Sequence, residues 1–277
     1  MAVVLVILAA PAHAIDGVKL INQSVAVNGT ASPGDDPGFP VTISQSGSYR
    51  LSGNLTVPDP NTTAIEITAD DVTLDLNGFA ILGPTVCAGI PLTCNPTGTG
   101  DGIFAAGGIE NVTVVNGTVR GMGGAGVHLR GPSSLVDRVH ATSNGSTGII
   151  AGFAAIVTAS QATANGGGGI IANTGSLVTG NTARGNRGNG ISAVIVGGTV
   201  SSNAASSNGG AGISAGIGSI VIGNSAASNT LHGLVLDATA GYSQNALTLN
   251  NGGNANPQVS GGINGGQNVC GVDAICP

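Results

Sequence analysis

The sequence predicts an all-β fold, a right-handed parallel β-helix with three short strands per coil, and three observations lead there. First, a pair of Gly and an aliphatic residue recurs as Gly102-Ile103, Gly126-Val127, Gly148-Ile149, Gly169-Ile170, Gly190-Ile191, Gly212-Ile213 and Gly233-Leu234, at intervals of 21 to 24 residues. Second, three more columns keep that register: Val136, Val157, Val178, Val200 and Val221; Ala141, Ala162, Ala183, Ala205 and Ala226; and Asn144, Asn165, Asn186, Asn208 and Asn229. Third, charged residues are 7% and aromatic residues 2% of the chain while hydrophobic residues reach 41%. Disorder driven by charge is therefore excluded, and the core must be built from Val, Ile and Ala.

A unit of 21 to 22 residues is too short for two packed helices, and its Gly, Asn and Ser interrupt every helical run. Leucine-rich repeats of this length need a Leu framework that the chain lacks. Three strands and three turns fill the period, each coil stacking about 4.8 Å above the last as a parallel sheet. The handedness of parallel crossovers sets a right-handed winding, and the period of six that marks left-handed hexapeptide helices is missing.

In chain order, residues 1–14 read as an export signal: an apolar run from Val3 to Ala10 ends in Ala12-His13-Ala14, with no basic residue ahead of it, as in a truncated n-region. The mature chain is expected to begin at Ile15, in a secreted or periplasmic protein. No run reaches the roughly 20 apolar residues of a membrane span. Residues 15–46 are the expected lead-in and cap. The β-helix occupies 47–250, with early coils at Gly47–Leu51 and Ala69–Gly78 and an echo of the latter at Asn111–Gly117. A lateral loop over 84–99 interrupts it: removing those 16 residues from the 38 that separate Ile65 from Ile103 leaves one ordinary coil. Residues 251–277, rich in Gly and Asn, close the far end.

Cys87 and Cys94 flank a Pro- and Gly-containing stretch within the lateral loop and Cys270 and Cys276 lie near the C-terminus, so two local disulfides are the simplest of three pairings in an oxidising compartment. Their spacings, without His neighbours, do not suit zinc. Strand alternation turns Ile149, Ile170, Ile191 and Ile213 inward, together with Ala151, Ala172, Ala193 and Ala215. The Asn column is structural, a ladder in which each amide bonds the Asn one coil away.

The segments Asp70–Phe79 and Asn165–Ile170 resemble the pectate-lyase-like superfamily of right-handed parallel β-helix proteins, in particular exported bacterial members with DDVTLDLNGF-like and NGGxGI-like segments. The resemblance covers most of the mature chain and implies a scaffold. That superfamily holds polysaccharide lyases and glycosidases beside sugar-binding and structural proteins, so the resemblance does not choose a reaction.

The side chains narrow the choice. A net charge of −6 offers no basic surface to nucleic acid. Gly121 to Gly126 matches GxGxxG, but Val127 begins a strand where a phosphate-binding loop needs a helix, so the match is a turn. Asp70, Asp71 and Asp75 form the densest acidic set; they read as turn and solvent-face residues, with calcium as the alternative, and no cofactor is otherwise expected. One outward column is richer. Glu66, Phe104 and His128 share an outer face, Glu66 and His128 about 10 Å apart across Phe104, and Arg130 stands two residues past His128. These four are the expected ligand-binding residues, and His128 is the one candidate for catalysis. Farther along that face, Ile150 and Ile171 make an apolar patch suited to self-association. The expected function is a noncatalytic exported scaffold that binds glycans, surfaces or copies of itself; the alternative is a carbohydrate-active enzyme, a polysaccharide lyase or glycosidase, using the same face.

Overall fold

The computed structural model describes residues 17–253, 256–271 and 276. The expected signal peptide at 1–14 lies outside the described residues, as does part of the segment 251–277. The described chain winds as a parallel β-solenoid of about ten turns, with coils about 22 residues apart. One wall is a ten-stranded parallel sheet that runs from Val41–Ile43 through Ile149–Ala151 to Val259–Ser260. The other two walls belong to a single 19-stranded sheet. Its early strands Thr113–Arg120 and Leu135–Thr142 are long enough to serve both walls, and from Ile156 to Thr248 each coil gives two separate three-residue strands.

Register follows the repeat columns. Ile149 pairs with Ile170, Val157 with Val178 and Ala162 with Ala183, so like residues stack on like. The inward Ile, Val and Ala columns are buried along the stack, and the interior is a largely aliphatic rod to which Leu residues, Met122, Tyr49 and Tyr242 also contribute, beyond the Val, Ile and Ala that composition pointed to. Because every inner position repeats, one coil's side chains pack against near-copies of themselves, which is how a chain so poor in aromatics closes a core.

Each full coil turns three corners, and in the coils from Ser133 to Ser228 a left-handed residue sits at each. Ala154, Ala159 and Ala164 have φ of 51°, 47° and 53°, and Gly175, Gly180 and Gly185 take the same places one coil later. Glycine is the usual answer to that conformation. The repeat glycines before Ile149 and Ile170 have a different cause. A Cβ on Gly148 would lie 2.7 Å from Nδ2 of Asn165 and 2.8 Å from the carbonyl oxygen of Gly169, so glycine is needed there to admit the asparagine row.

That row is continuous. Nδ2 of Asn144 donates to Oδ1 of Asn165 at 3.0 Å, and the same bond links Asn165, Asn186, Asn208, Asn229 and Asn250 in turn, ending on Oε1 of Gln258. Each amide also ties backbone: Oδ1 of Asn165 accepts the Asn144 N–H, and its Nδ2 donates to the Ala141 carbonyl. A second row, unforeseen from the repeat columns, occupies another corner. Asn181, Asn203, Asn224, Asn245 and Asn268 are joined head to tail at 3.0 Å, and the first of them accepts the Ser160 N–H.

Pairing extends beyond residues 47–250 at both ends. Lys19–Ile21 pairs in parallel with Gly47–Leu51, and Val41–Ile43 pairs with Ile65–Ile67. Between them the short helix Gln23–Asn28 is opened by Asn22, whose side chain accepts the Val25 N–H, and is closed by Gly29 at φ 63°. Its Ala26 is buried against the first coils. At the other end Val269–Cys270 pairs with Ala246–Thr248, and Cys270 is bonded to Cys276. The last turn still gives a strand to each wall, at Val259–Ser260, Ile263–Asn264 and Val269–Cys270.

Candidate functional site

The outer face of the ten-stranded sheet carries the chain's main cluster of chemically active side chains. Glu66, Phe104 and His128 are adjacent in register, each on the middle residue of a three-residue strand whose flanking residues are buried. The alternation that buries Ile103 and Ala105 obliges Phe104 to face outward. The rings of Phe104 and His128 meet edge to face, with centroids 5.5 Å apart and planes at 73°. Arg130, just past its strand, folds back over both: its guanidinium carbon lies 6.0 Å from the Phe104 centroid and its Nε donates to Nε2 of His128 at 3.1 Å. The four residues singled out by outward alternation are thus brought together.

Asp101 completes the group. Its Oδ2 lies 2.8 Å from Nδ1 of His128 while Oδ1 accepts the Ala125 N–H at 2.7 Å. Since Nε2 of His128 accepts from a permanently protonated guanidinium, the imidazole proton resides on Nδ1 and points at Asp101. The carboxylate fixes the ring and its tautomer. Asp101 immediately precedes Gly102, at the corner that feeds the strand, and the equivalent corner residue Asn189 makes the same bond from Oδ1 to the Ala211 N–H. Asp101 therefore performs a turn's ordinary task with one oxygen and holds His128 with the other. Sequence reasoning missed it because it followed the strand residues only; a carboxylate one coil ahead of an outward His, in the turn before the repeat Gly, was the available signal.

Beside Phe104 and Glu66 lies a shallow depression of about 450 Å³, walled by Phe39, Pro40 and the turn Asn61–Thr63. That turn is stiffened by Asp59, which accepts the Thr62 hydroxyl and the Asn61 N–H; the Thr62 bond first, then the Asn61 bond, hold its carboxyl below the ordinary Asp value. A polar floor, an aromatic plate and an arginine with no carboxylate partner among the described residues lie side by side. The arrangement can stack a sugar ring, bond its hydroxyls and meet an anionic substituent.

The other expected features resolve as follows. Asp70 accepts the Glu110 N–H, Asp71 the Asn111 amide, and Asp75 both the Asn77 N–H and the Arg50 guanidinium, so the acidic set holds turns and neighbouring coils together. Among the described residues no group of three or more His, Cys, Asp or Glu is placed to hold a metal ion. Ile150 and Ile171 stack beyond His128 but are half-buried rather than exposed; the more exposed apolar side chains on the molecule include Phe153, Ile217 and Ile220. Cys87 is bonded to Cys94, closing the antiparallel hairpin of Val86–Ala88 and Thr93–Asn95.

The family model of the right-handed β-helix region matches residues 94–261. Among solved structures, the chain is similar to the A-module of the Azotobacter vinelandii mannuronan C-5 epimerase AlgE4, with a TM-score of 0.55 and 14% identity, over 87% of this chain and 84% of that one. It is similar to the periplasmic alginate epimerase AlgG, with a TM-score of 0.59 and 12% identity, over 76% of this chain and 56% of that one. The Dettilon tailspike protein gp208 gives a TM-score of 0.55 and 16% identity, over 75% of this chain. The chain spans less than half of the tailspike, 45% of its length. At such identities the likeness is one of fold. No curated protein matches the chain in sequence.

Proposed function

This chain belongs to the right-handed β-helix family, and from that premise we propose that it is an exported, noncatalytic scaffold that binds an acidic glycan on the face of Glu66, Phe104, His128 and Arg130. The observation that carries the proposal is the placement of Arg130, an arginine without a carboxylate partner among the described residues, held over Phe104 and against His128 beside an open depression. A uronate sugar answers each part: its ring stacks on Phe104, its hydroxyls reach the Asn61–Thr63 turn, and its carboxylate meets the guanidinium. The names of two similar structures, epimerases of mannuronan and alginate, denote action on uronate polymers and support that ligand class. Two disulfides and the periplasmic relative support export.

Binding of oligouronates and of neutral oligosaccharides of equal length, measured by titration calorimetry, tests it. Phe104→Ala should weaken binding about 2- to 10-fold through lost stacking. Arg130→Ala should weaken the oligouronates selectively, and both variants should melt near the wild type. Unchanged binding in both folded variants would reduce this face to decoration.

The Asp101–His128 bond supports a second reading, catalysis. A carboxylate that directs Nε2 outward is the arrangement a general base needs to remove a proton beside a uronate carboxyl. In the state described, Arg130 occupies that nitrogen, which is why binding takes precedence. Release of unsaturated oligouronates, or solvent deuterium appearing in the polymer, with loss of either in His128→Ala at unchanged affinity, would establish the second reading over the first.

A further inference from the structure

The disulfide-closed hairpin is not a free appendage. Both its sulfurs lie against the Asn144 carbonyl oxygen, at 3.6 and 3.8 Å, and a Cβ on Gly166 would stand 2.8 Å from Sγ of Cys94. The hairpin therefore lies along the asparagine corner of the solenoid, and its tip overhangs coils that come some 90 residues later in the chain. Between tip and corner is a groove of about 730 Å³. Ile90 and Leu92 form one side; Arg184, Arg187, Ser207 and Ser228 form the other.

Three features of this groove point to a ligand. Arg184 and Arg187 are the only Lys or Arg residues after Arg138, and both line it. Neither makes an ion pair among the described residues, so two like charges share a cleft without a counter-charge. Ser207 and Ser228 occupy the same left-handed corner position in successive coils, with φ of 55° and 56°, which sets their backbones about 4.8 Å apart, close to the length of one pyranose unit. Ile90, fully exposed at the tip of a loop that a disulfide holds in place, gives a small apolar surface opposite the cations.

We infer that this groove is a second carbohydrate site, selective for a saccharide bearing a carboxylate or sulfate group, and separate from the Phe104 face. The arginines take the anionic group, the corner hydroxyls bond ring hydroxyls, and the Ile90–Leu92 tip covers the apolar face of the sugar. An acidic peptide fits less well: the flanking strands already have partners on both sides, so the corner offers no open edge to an extended backbone.

The test uses the full chain in an Arg130→Gln background, which silences the other face, and titrates it at low salt with tetragalacturonate, a sulfated chondroitin tetrasaccharide, a neutral xylotetraose and tetraglutamate. At least one of the two acidic saccharides should bind, and should bind at least tenfold more weakly when Arg184→Gln and Arg187→Gln are added with the melting temperature unchanged. The arm that binds identifies carboxylate or sulfate as the recognised group. In the otherwise unaltered chain the Nε resonances of Arg184 and Arg187 should shift on addition of that saccharide, a reading independent of any variant. No binding by either acidic saccharide, equal binding of xylotetraose, tighter binding of tetraglutamate, or resonance shifts confined to Arg130 would each overturn the assignment. Shifts confined to Arg130 would leave the Phe104 face standing; binding that survives Arg130→Gln undiminished and is lost with Arg184 and Arg187 would remove that face instead.

Discussion

At the scale of single residues, direction and burial are separate facts. Ser192 and Ser214 occupy the same outward column, yet Ser192 is 7% exposed because the Asn189 amide reaches its hydroxyl, whereas Ser214 is more open. Alternation predicts the side of the sheet and says nothing of what a corner residue lays over it. The contrast that tests the faces therefore uses Ser214. Val178→Asp places a carboxylate in the aliphatic rod and should cost more than about 4 kcal/mol, while Ser214→Asp should cost less than about 1 kcal/mol. Equal shifts in urea midpoint for the two variants would contradict the assigned sides.

At the scale of elements, the strands and one asparagine row were legible from the sequence because four columns repeat over five consecutive coils. The second row, three residues after each repeat Val, was just as regular from Asn181 to Asn245, but its earlier place is held by Ser160, so it did not stand out across the whole repeat. Asp101 was overlooked for a different reason, since its role depends on a corner of one coil meeting the strand of the next. The rows carry a definite load. Replacing Asn208 by Ala removes the acceptor of the Asn186 N–H and amide and the donor to Ala183 and Asn229, and should cost about 1 to 3 kcal/mol for each buried group left without a partner. Asn208→Asp should depend on pH. A carboxylate buried in the row has its folded pKa raised above the unfolded value of about 3.9, so the variant is most stable below that value and loses stability as pH rises through its folded pKa. A pH-independent deficit, or a loss below about 0.5 kcal/mol in the Ala variant, would show that the row contributes nothing.

At the scale of the whole molecule, charge and chemistry are distributed unevenly along one axis. The acidic side chains crowd the early coils, where they brace turns, while the later coils are almost neutral apart from the two arginines beneath the hairpin. The solenoid supplies a long repetitive surface, and both proposed sites fall where the repeat is broken: a Phe, a His and an Arg on one wall, and a hairpin folded across one corner. The two asparagine rows add a property that belongs to the stack as a whole. Along the rows each donating amide points one N–H at the next asparagine toward the C-terminal end, and each accepting C=O faces the asparagine toward the N-terminal end. The rows are thus parallel files of identical oscillators, spaced by one coil rise of about 4.8 Å and polarised in one sense by their neighbours. Their carbonyl stretches should couple into a collective mode, shifted from that of isolated asparagine and absorbing infrared light polarised along the long axis. Isotope labelling of the asparagine side chains in an oriented film would reveal it, and an unshifted band without dichroism would mean that the amides vibrate independently.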